Sequence, residues 1–202
     1  MIIINRFNNI NSESNFNILF QFFIQTLKKS DNMFFEKGSI IDIRKFNSKI
    51  LFISKGILRE YSLQENGDEF TNQFIERRTF ILFDENPKQS YCESTKYLEV
   101  LETTSLYVFD KKKYYHLIND YNLIREVMTR AFFDQINFSY ERSKLLLNRS
   151  TEDKYISFCN LYPDIEKRIP LSYISSFIGA TISSVSRARK KILNDSKSHF
   201  YS

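Results

Sequence analysis

At 202 residues, with 42% of them hydrophobic, the chain has material for one large folded domain or two small ones, and none of its apolar runs is long enough to span a bilayer. A formal charge of +5 and a pI near 9.1 admit a polyanionic partner without requiring one. Two cysteines, Cys92 and Cys159, are too few to form alone a structural zinc site, a four-cysteine iron–sulfur cluster or a disulfide framework, so no cofactor is expected.

The chain opens on MIIINRFNNINSESNF, an apolar start broken too early by Asn and Arg to act as a secretory signal. The expectation is a cytoplasmic, reducing location with no membrane partner. In FNILFQFFIQTLKK, Leu19, Phe22, Phe23 and Leu27 recur at helical spacing. From Met33 to about Phe109 the texture becomes β-branched and aromatic, cut by turn signals at Lys37-Gly38, Lys55-Gly56 and Asn66-Gly67 and by a Pro87 loop. Asn66-Gly67 is a strong two-residue hairpin signal, because both residues tolerate the positive φ that such turns require. Short strands at this spacing predict an antiparallel sandwich or barrel.

Beyond Lys111 the pattern is helical, and residues 121–148 contain neither Gly nor Pro. Ile124, Met128, Ala131, Phe138 and Leu145 fall on a seven-residue repeat, with Gln135 and Arg142 as polar interruptions. A helix of this length would run about 40 Å. It either spans two domains, pairs with a copy of itself, or is a long core helix. Residues 151–202 read as a small helical domain, in which TEDKYISFCNLYPD gives a capped helix ending near Pro163.

Within that domain, LSYISSFIGATISSVSRARKKI carries the most information. Leu171, Ile174 and Ile178 make one stripe of a short helix that begins after Pro170. Gly179 ends it, and Thr181 is a natural N-cap for a second helix with Val185, Ala188 and Ile192 inside. Ser175, four residues before the glycine, is small enough for two helices to cross closely. This is a helix-turn-helix pattern, though an ordinary helical corner with a solvated basic end has the same outline. On the DNA reading, Ser183, Ser184 and Arg187 project together toward base edges, while Arg189, Lys190 and Lys191 suit phosphates. From Glu166 to Lys191 six basic residues stand against one acidic residue.

The order of barrel, long helix and helix-turn-helix resembles the bacterial Crp–Fnr family of transcription regulators over nearly the whole chain. The resemblance is carried by FFEKGSII, LFISKGILREYSLQENGDEFTNQFI, YLEVLETTSLYVF, the long helix and PLSYISSFIGATISSVSRARKKI. It implies an α+β fold: a β-roll or jelly-roll sensor domain of the cyclic-nucleotide-binding type over residues 1–120, a dimerisation helix over 121–148, and a winged-helix-type DNA reader over 149–202. It also implies that Ser183, Ser184 and Arg187 read bases and that Thr181 touches phosphate. The implied partners are double-stranded DNA and a second copy of the chain, with RNA polymerase a further candidate and the effector, if there is one, unknown.

Two departures qualify these expectations. Family members that bind cyclic nucleotides carry a Gly-Glu pair and an Arg-Ser or Arg-Thr pair, where this chain aligns Leu82-Phe83 and Lys96-Tyr97. Leu and Phe cannot accept from a ribose hydroxyl, and Lys lacks the planar fork of Arg. The sequence therefore speaks against cyclic AMP and for a more apolar, aromatic effector pocket. Only nine residues follow Leu193, so a C-terminal wing is expected to be short or missing. His116 and His199 offer little for a haem. The competing reading is a small-molecule or protein-binding β-roll with a degenerate, non-specific DNA-binding half. A cupin-type enzyme would need histidine ligands, and residues 33–109 contain none. No enzymatic activity is expected.

Overall fold

In a computed structural model, which describes residues 2–4, 31–46, 49–82, 96–110, 112 and 122–198, the strand-like texture becomes one antiparallel sheet. The helix expected in residues 16–29, Phe83, the Pro87 loop, Cys92, His116 and His199 lie outside the described residues. The strands are β1 (Ile2–Ile4), β2 (Asp31–Phe35), β3 (Ile40–Ile41), β4 (Lys49–Leu63), β5 (Glu69–Glu76), β6 (Thr79–Leu82) and β7 (Lys96–Asp110). They run in the order β1-β6-β4-β7-β2, with β3 also on β7 and β5 also on β4. The two long strands, β4 and β7, hold the sheet together. Ile50, Leu51, Phe52 and Ile53 of β4 are all buried, so this strand is a continuous apolar run with both faces covered rather than an alternating one. Leu51, Ile53 and Leu58 share a core with Ile75, Ile81, Leu98, Val100, Leu106 and Val108.

The β4–β7 register slips between Ile53 and Leu58, and Gly56 lies in that slip with φ +104°. A Cβ there would stand 2.7 Å from the Cα of Thr104, so both the dihedral and the space require glycine. At the same level of β4, Arg78 takes a positive φ of 66° and donates its backbone N–H to the Ile53 carbonyl at 2.7 Å. Below the slip the sheet buries charge in pairs. Arg59 Nη1 lies 2.9 Å from Glu99 Oε2, and its guanidinium sits 4.5 Å above the Tyr61 ring.

The Asn66-Gly67 turn joins β4 to β5, but the loop is longer than two residues. Gln64 and Asp68 pair at 2.8 Å, and the Gly67 N–H donates to the Gln64 carbonyl at 2.9 Å. The Asn66 side chain accepts from the Asp68 N–H at 3.0 Å, an Asx turn that sets Gly67 one place later than a two-residue hairpin would.

The chain divides into two compact units: residues 1–62 with 74–136, and residues 63–73 with 137–202. The tip of the β4–β5 hairpin thus belongs to the helical unit. The helices are α1 (Asn122–Leu147), α2 (Thr151–Leu161), α3 (Leu171–Ile178) and α4 (Ile182–Ser198). Phe158, Tyr162 and Phe177 meet ring to ring at 5.5–5.6 Å in the core of the helical unit. The hairpin tip is bound to this unit by two side chains. Ser176 Oγ donates to the Glu69 carbonyl at 2.6 Å and accepts from the Thr71 N–H at 2.9 Å. Arg142 Nη2 donates to the Thr71 carbonyl at 3.0 Å, and its guanidinium faces Phe70 and Phe177, whose ring centres are 5.2 and 4.9 Å away.

The long helix forms as expected, but its apolar stripes are used differently. Leu145 is fully buried within the protomer, and Phe138 packs edge-on against Tyr162 at 5.8 Å. Leu145 therefore belongs to the protomer's own core, while Phe138 is half-buried. Ile124, Met128 and Ala131 lie on α1, and their side chains are outside the described ones. The large apolar side chains that α1 leaves exposed include Phe133, Ile136, Tyr140 and Leu147, the last 82% exposed.

Candidate nucleic-acid interface

The helical unit presents α4 behind two shorter helices whose ends are set by local signals. Ser150 caps α2 by accepting from the Asp153 N–H at 3.0 Å. Pro170, with φ −60° and ψ 143°, is the N-cap of α3. Gly179 closes α3 in the left-handed conformation, φ 63° and ψ 50°, where a Cβ would be strained. The Ala180 N–H reaches back to the Ser175 carbonyl at 3.0 Å. Ser175 is buried, and its hydroxyl donates to the Leu171 carbonyl at 2.8 Å, so the close packing it permits leaves no polar atom stranded.

After the turn, Thr181 caps α4. Its Oγ1 accepts from the Ser184 N–H at 3.2 Å, and its carbonyl accepts from the Val185 N–H at 3.0 Å. Val185 and Ala188 are buried, which fixes the rotation of the helix. Ser183, Arg187 and Lys190 are then exposed together on the opposite side, spaced i, i+4 and i+7, and Asn194 extends the stripe at i+11. The four side chains carry two positive charges and no negative one.

Not every residue expected at this face is on it. Ser184 is half-buried and works locally. Thr181 Oγ1 donates to Ser184 Oγ at 2.9 Å, and Arg187 Nη2 reaches the same oxygen at 3.4 Å. Ser184 therefore steers the guanidinium of Arg187. Arg189 points elsewhere: its Nε lies 3.0 Å from Glu166 Oε1, which also accepts from the Tyr155 hydroxyl at 2.5 Å. Lys191 Nζ lies 3.3 Å from Glu152 Oε1. Both cations face carboxylates from α2 and the segment after it. Burial and the bond to Glu166 push the Tyr155 hydroxyl far above the ordinary tyrosine range. Burial and the same carboxylate raise the Cys159 thiol, which lies close by.

Asn194, absent from the sequence expectations, continues the same helical count and could have been found by extending it one more turn. Glu152 and Glu166 could not have been found that way, because their partners are 39 and 23 positions distant.

The residues expected to line an effector pocket are in the sheet unit. Leu82 ends β6, its side chain outside the described ones, and Phe83 lies outside the described residues. Lys96 begins β7 and forms an ion pair with buried Glu60, Nζ to Oε1 3.1 Å. Tyr97 stacks on Tyr61 with centroids 5.2 Å apart. Lys96, the cation expected at this site, is thus already opposed by a carboxylate.

A helix displaying Ser, Arg, Lys and Asn on one face has the right width for a major groove, and these side chains supply donors that pair with guanine and adenine edges. Comparison with known proteins bears on the fold. No family model matches the chain, and no curated protein matches its sequence. Solved structures do match. A cyclic nucleotide-binding domain containing protein from Listeria monocytogenes has a TM-score of 0.69 at 13% identity, covering 91% of this chain and 90% of its own. FixK2 from Bradyrhizobium japonicum has a TM-score of 0.65 at 13% identity, covering 83% and 86%. A Eubacterium rectale protein described as a transcriptional regulator of the crp/fnr family has a TM-score of 0.59 at 18% identity, covering 90% and 88%. The chain shares the fold of these Crp/Fnr-type structures.

Proposed function

We propose that the chain is a Crp–Fnr-type transcription regulator that binds double-stranded DNA in a sequence-specific manner as a homodimer. The observation that carries this reading is the exposed stripe Ser183, Arg187, Lys190 and Asn194 on α4, set behind the Gly179 turn with Arg187 steered by Ser184. In this reading α3 and α4 are the helix-turn-helix, and α4 is the recognition helix. Arg187 pairs with guanine, Ser183 and Asn194 read neighbouring edges, and Lys190 contacts phosphate.

Dimerisation is assigned to the exposed residues of α1. Phe133, Ile136, Tyr140 and Leu147 recur at steps of three, four and seven, the spacing of a coiled-coil seam. Two copies joined there would present two recognition helices to successive major grooves, about 34–36 Å apart, on a near-palindromic site. The pairing of Lys96 with Glu60 supports a regulator that works without cyclic AMP.

Selection of bound sequences from random DNA with the purified protein tests the reading. A recovered inverted repeat is the expected result. A dimer in solution with no enriched sequence would favour the alternative, a binding module whose DNA-reading half is degenerate. The seam is tested by Tyr140→Asp with Leu147→Asp, which should shift the protein from dimer to monomer in analytical ultracentrifugation, whereas an unchanged mass would place the interface elsewhere.

A further inference from the structure

Four of the five residues from Arg187 to Lys191 are cations, and the fold places them in two ways. Arg187 and Lys190 stand on the outward stripe. At about 100° of turn per residue, Arg189 and Lys191 fall on opposite flanks of α4, between that stripe and the buried face of Val185 and Ala188. A helix seated in a major groove turns its flanks toward the two sugar–phosphate walls, so long cationic side chains there are placed to meet phosphates. In this protein each flank cation is met by a carboxylate of its own helical unit. Arg189 Nε lies 3.0 Å from Glu166 Oε1, and Lys191 Nζ lies 3.3 Å from Glu152 Oε1.

Both acids have a place of their own apart from α4. The Glu166 side chain is only 12% exposed and accepts from the buried Tyr155 hydroxyl. Glu152 lies in the first turn of α2, where the helix dipole favours a carboxylate. Stability alone does not account for the two pairs, because an ion pair with side chains 63% and 41% exposed, as Lys191 and Glu152 are, adds little to it. What the carboxylates change is the charge that the flanks offer to DNA. We infer that Glu166 and Glu152 are positioning residues that withhold Arg189 and Lys191 from the DNA backbone and so hold down the sequence-independent part of the affinity. The inference rests on the DNA-binding reading above and deepens it. Phosphate contacts carry no base information, so withholding them weakens binding to every duplex alike and leaves the choice of site to the stripe.

The test uses the full-length protein, the duplex recovered by selection and a shuffled duplex of the same length and composition, titrated across a range of salt. Glu166→Gln keeps an acceptor for the Tyr155 hydroxyl and removes the charge. It should steepen the slope of log affinity against log salt by about 0.9 for each protomer, and raise affinity about fivefold per protomer at about 0.15 M salt, on both duplexes alike. Glu152→Gln, at an exposed position that folding does not depend on, should act in the same direction through Lys191. Removing the released cation as well, in Glu166→Gln with Arg189→Ala and in Glu152→Gln with Lys191→Ala, should return the slope to the wild-type value. Asp153→Asn controls for net charge. It removes an exposed acid of the same turn as Glu152 that meets no cation of α4 among the described residues, and it should leave the slope unchanged.

An unchanged slope in both glutamine variants means that the flanks do not reach phosphate. An equal rise with Asp153→Asn means that bulk charge is responsible, and a gain confined to the selected duplex means that the acids act on base reading. Each of these overturns the inference and leaves sequence-specific binding intact. A wild type that enriches no sequence and binds neither duplex overturns the DNA-binding reading, and this inference with it.

Discussion

Arg59 in the sheet unit and Arg187 in the helical unit are the same side chain in opposite circumstances. Arg59 is 1% exposed, faces the Glu99 carboxylate and lies over an aromatic ring. Arg187 is exposed and is steered by a neutral hydroxyl, which gives it direction without cancelling its charge. The same contrast recurs inside the helical unit, where Arg189 faces Glu166 and Lys190 stands on the outward stripe. Net charge counts all four alike. The arrangement of carboxylates sorts them into cations paired within the fold, Arg59 and Arg189, and cations exposed on the outward stripe, Arg187 and Lys190.

The contrast breaks most visibly when the buried pair is split. Glu99→Ala leaves a guanidinium inside the sheet without its carboxylate and should cost about 3–5 kcal/mol in urea denaturation. Arg187→Ala should change stability by no more than about 0.5 kcal/mol, as a surface substitution does. It should instead lower discrimination between the selected site and its single-base variants by about 1–3 kcal/mol in binding titrations. If the two substitutions had similar effects on stability, the sorting of charges would be wrong.

A finer division concerns Lys190 and Arg189. For a phosphate contact, Lys190→Ala should reduce the slope of log affinity against log salt by about 0.9 for each protomer. Arg189→Ala should weaken binding through the orientation of α4 while leaving that slope nearly unchanged, since its charge is opposed within the protein by Glu166. A fall in slope with Arg189→Ala would return that residue to the phosphate role its sequence position suggests.

The smallest effect is on Cys159, best read in a Cys92→Ser background. Burial and the Glu166 charge raise the thiol, so less thiolate is present at a given pH and alkylation at pH 8 should be slower than for an ordinary cysteine. The rate should climb only at more alkaline pH. Glu166→Gln should bring that rise back toward the ordinary range, and an unaltered pH profile would leave burial as the sole cause.

Much of the fold could be read from local signals. The long helix, the capped helix after it, the Pro170 start, the Gly179 stop and the Thr181 cap each depend on residues a few positions apart. The structure places all of them within a residue or two of expectation. What the sequence left undetermined was rotation and pairing. A seven-residue repeat in α1 is satisfied by the stripe through Phe138 and Leu145 and equally by the one through Phe133, Ile136, Tyr140 and Leu147. Which stripe faces inward depends on what packs against it; Phe138 meets Tyr162, a partner 24 positions away. The site was legible to the same extent. Arg187 and Lys190 follow from the helical count, but the diversion of Arg189 and Lys191 depends on acids that only the folded chain brings close. Nor does any local pattern announce that Ser184 would orient a neighbour.

The seating of the hairpin tip on the helices bears on how this protein can be cut. Seen along the chain, residues 137–202 look like a module that could be expressed alone or grafted onto another domain. Such a fragment would start without Phe70, exposing one side of the Arg142 guanidinium, and without the Glu69 carbonyl and Thr71 N–H that occupy the Ser176 hydroxyl. It would be incomplete on the flank of α3, the helix that supports α4. A chimera intended to borrow the helical unit would therefore have to carry the eleven residues 63–73, the tip of the β4–β5 hairpin, along with the C-terminal helices.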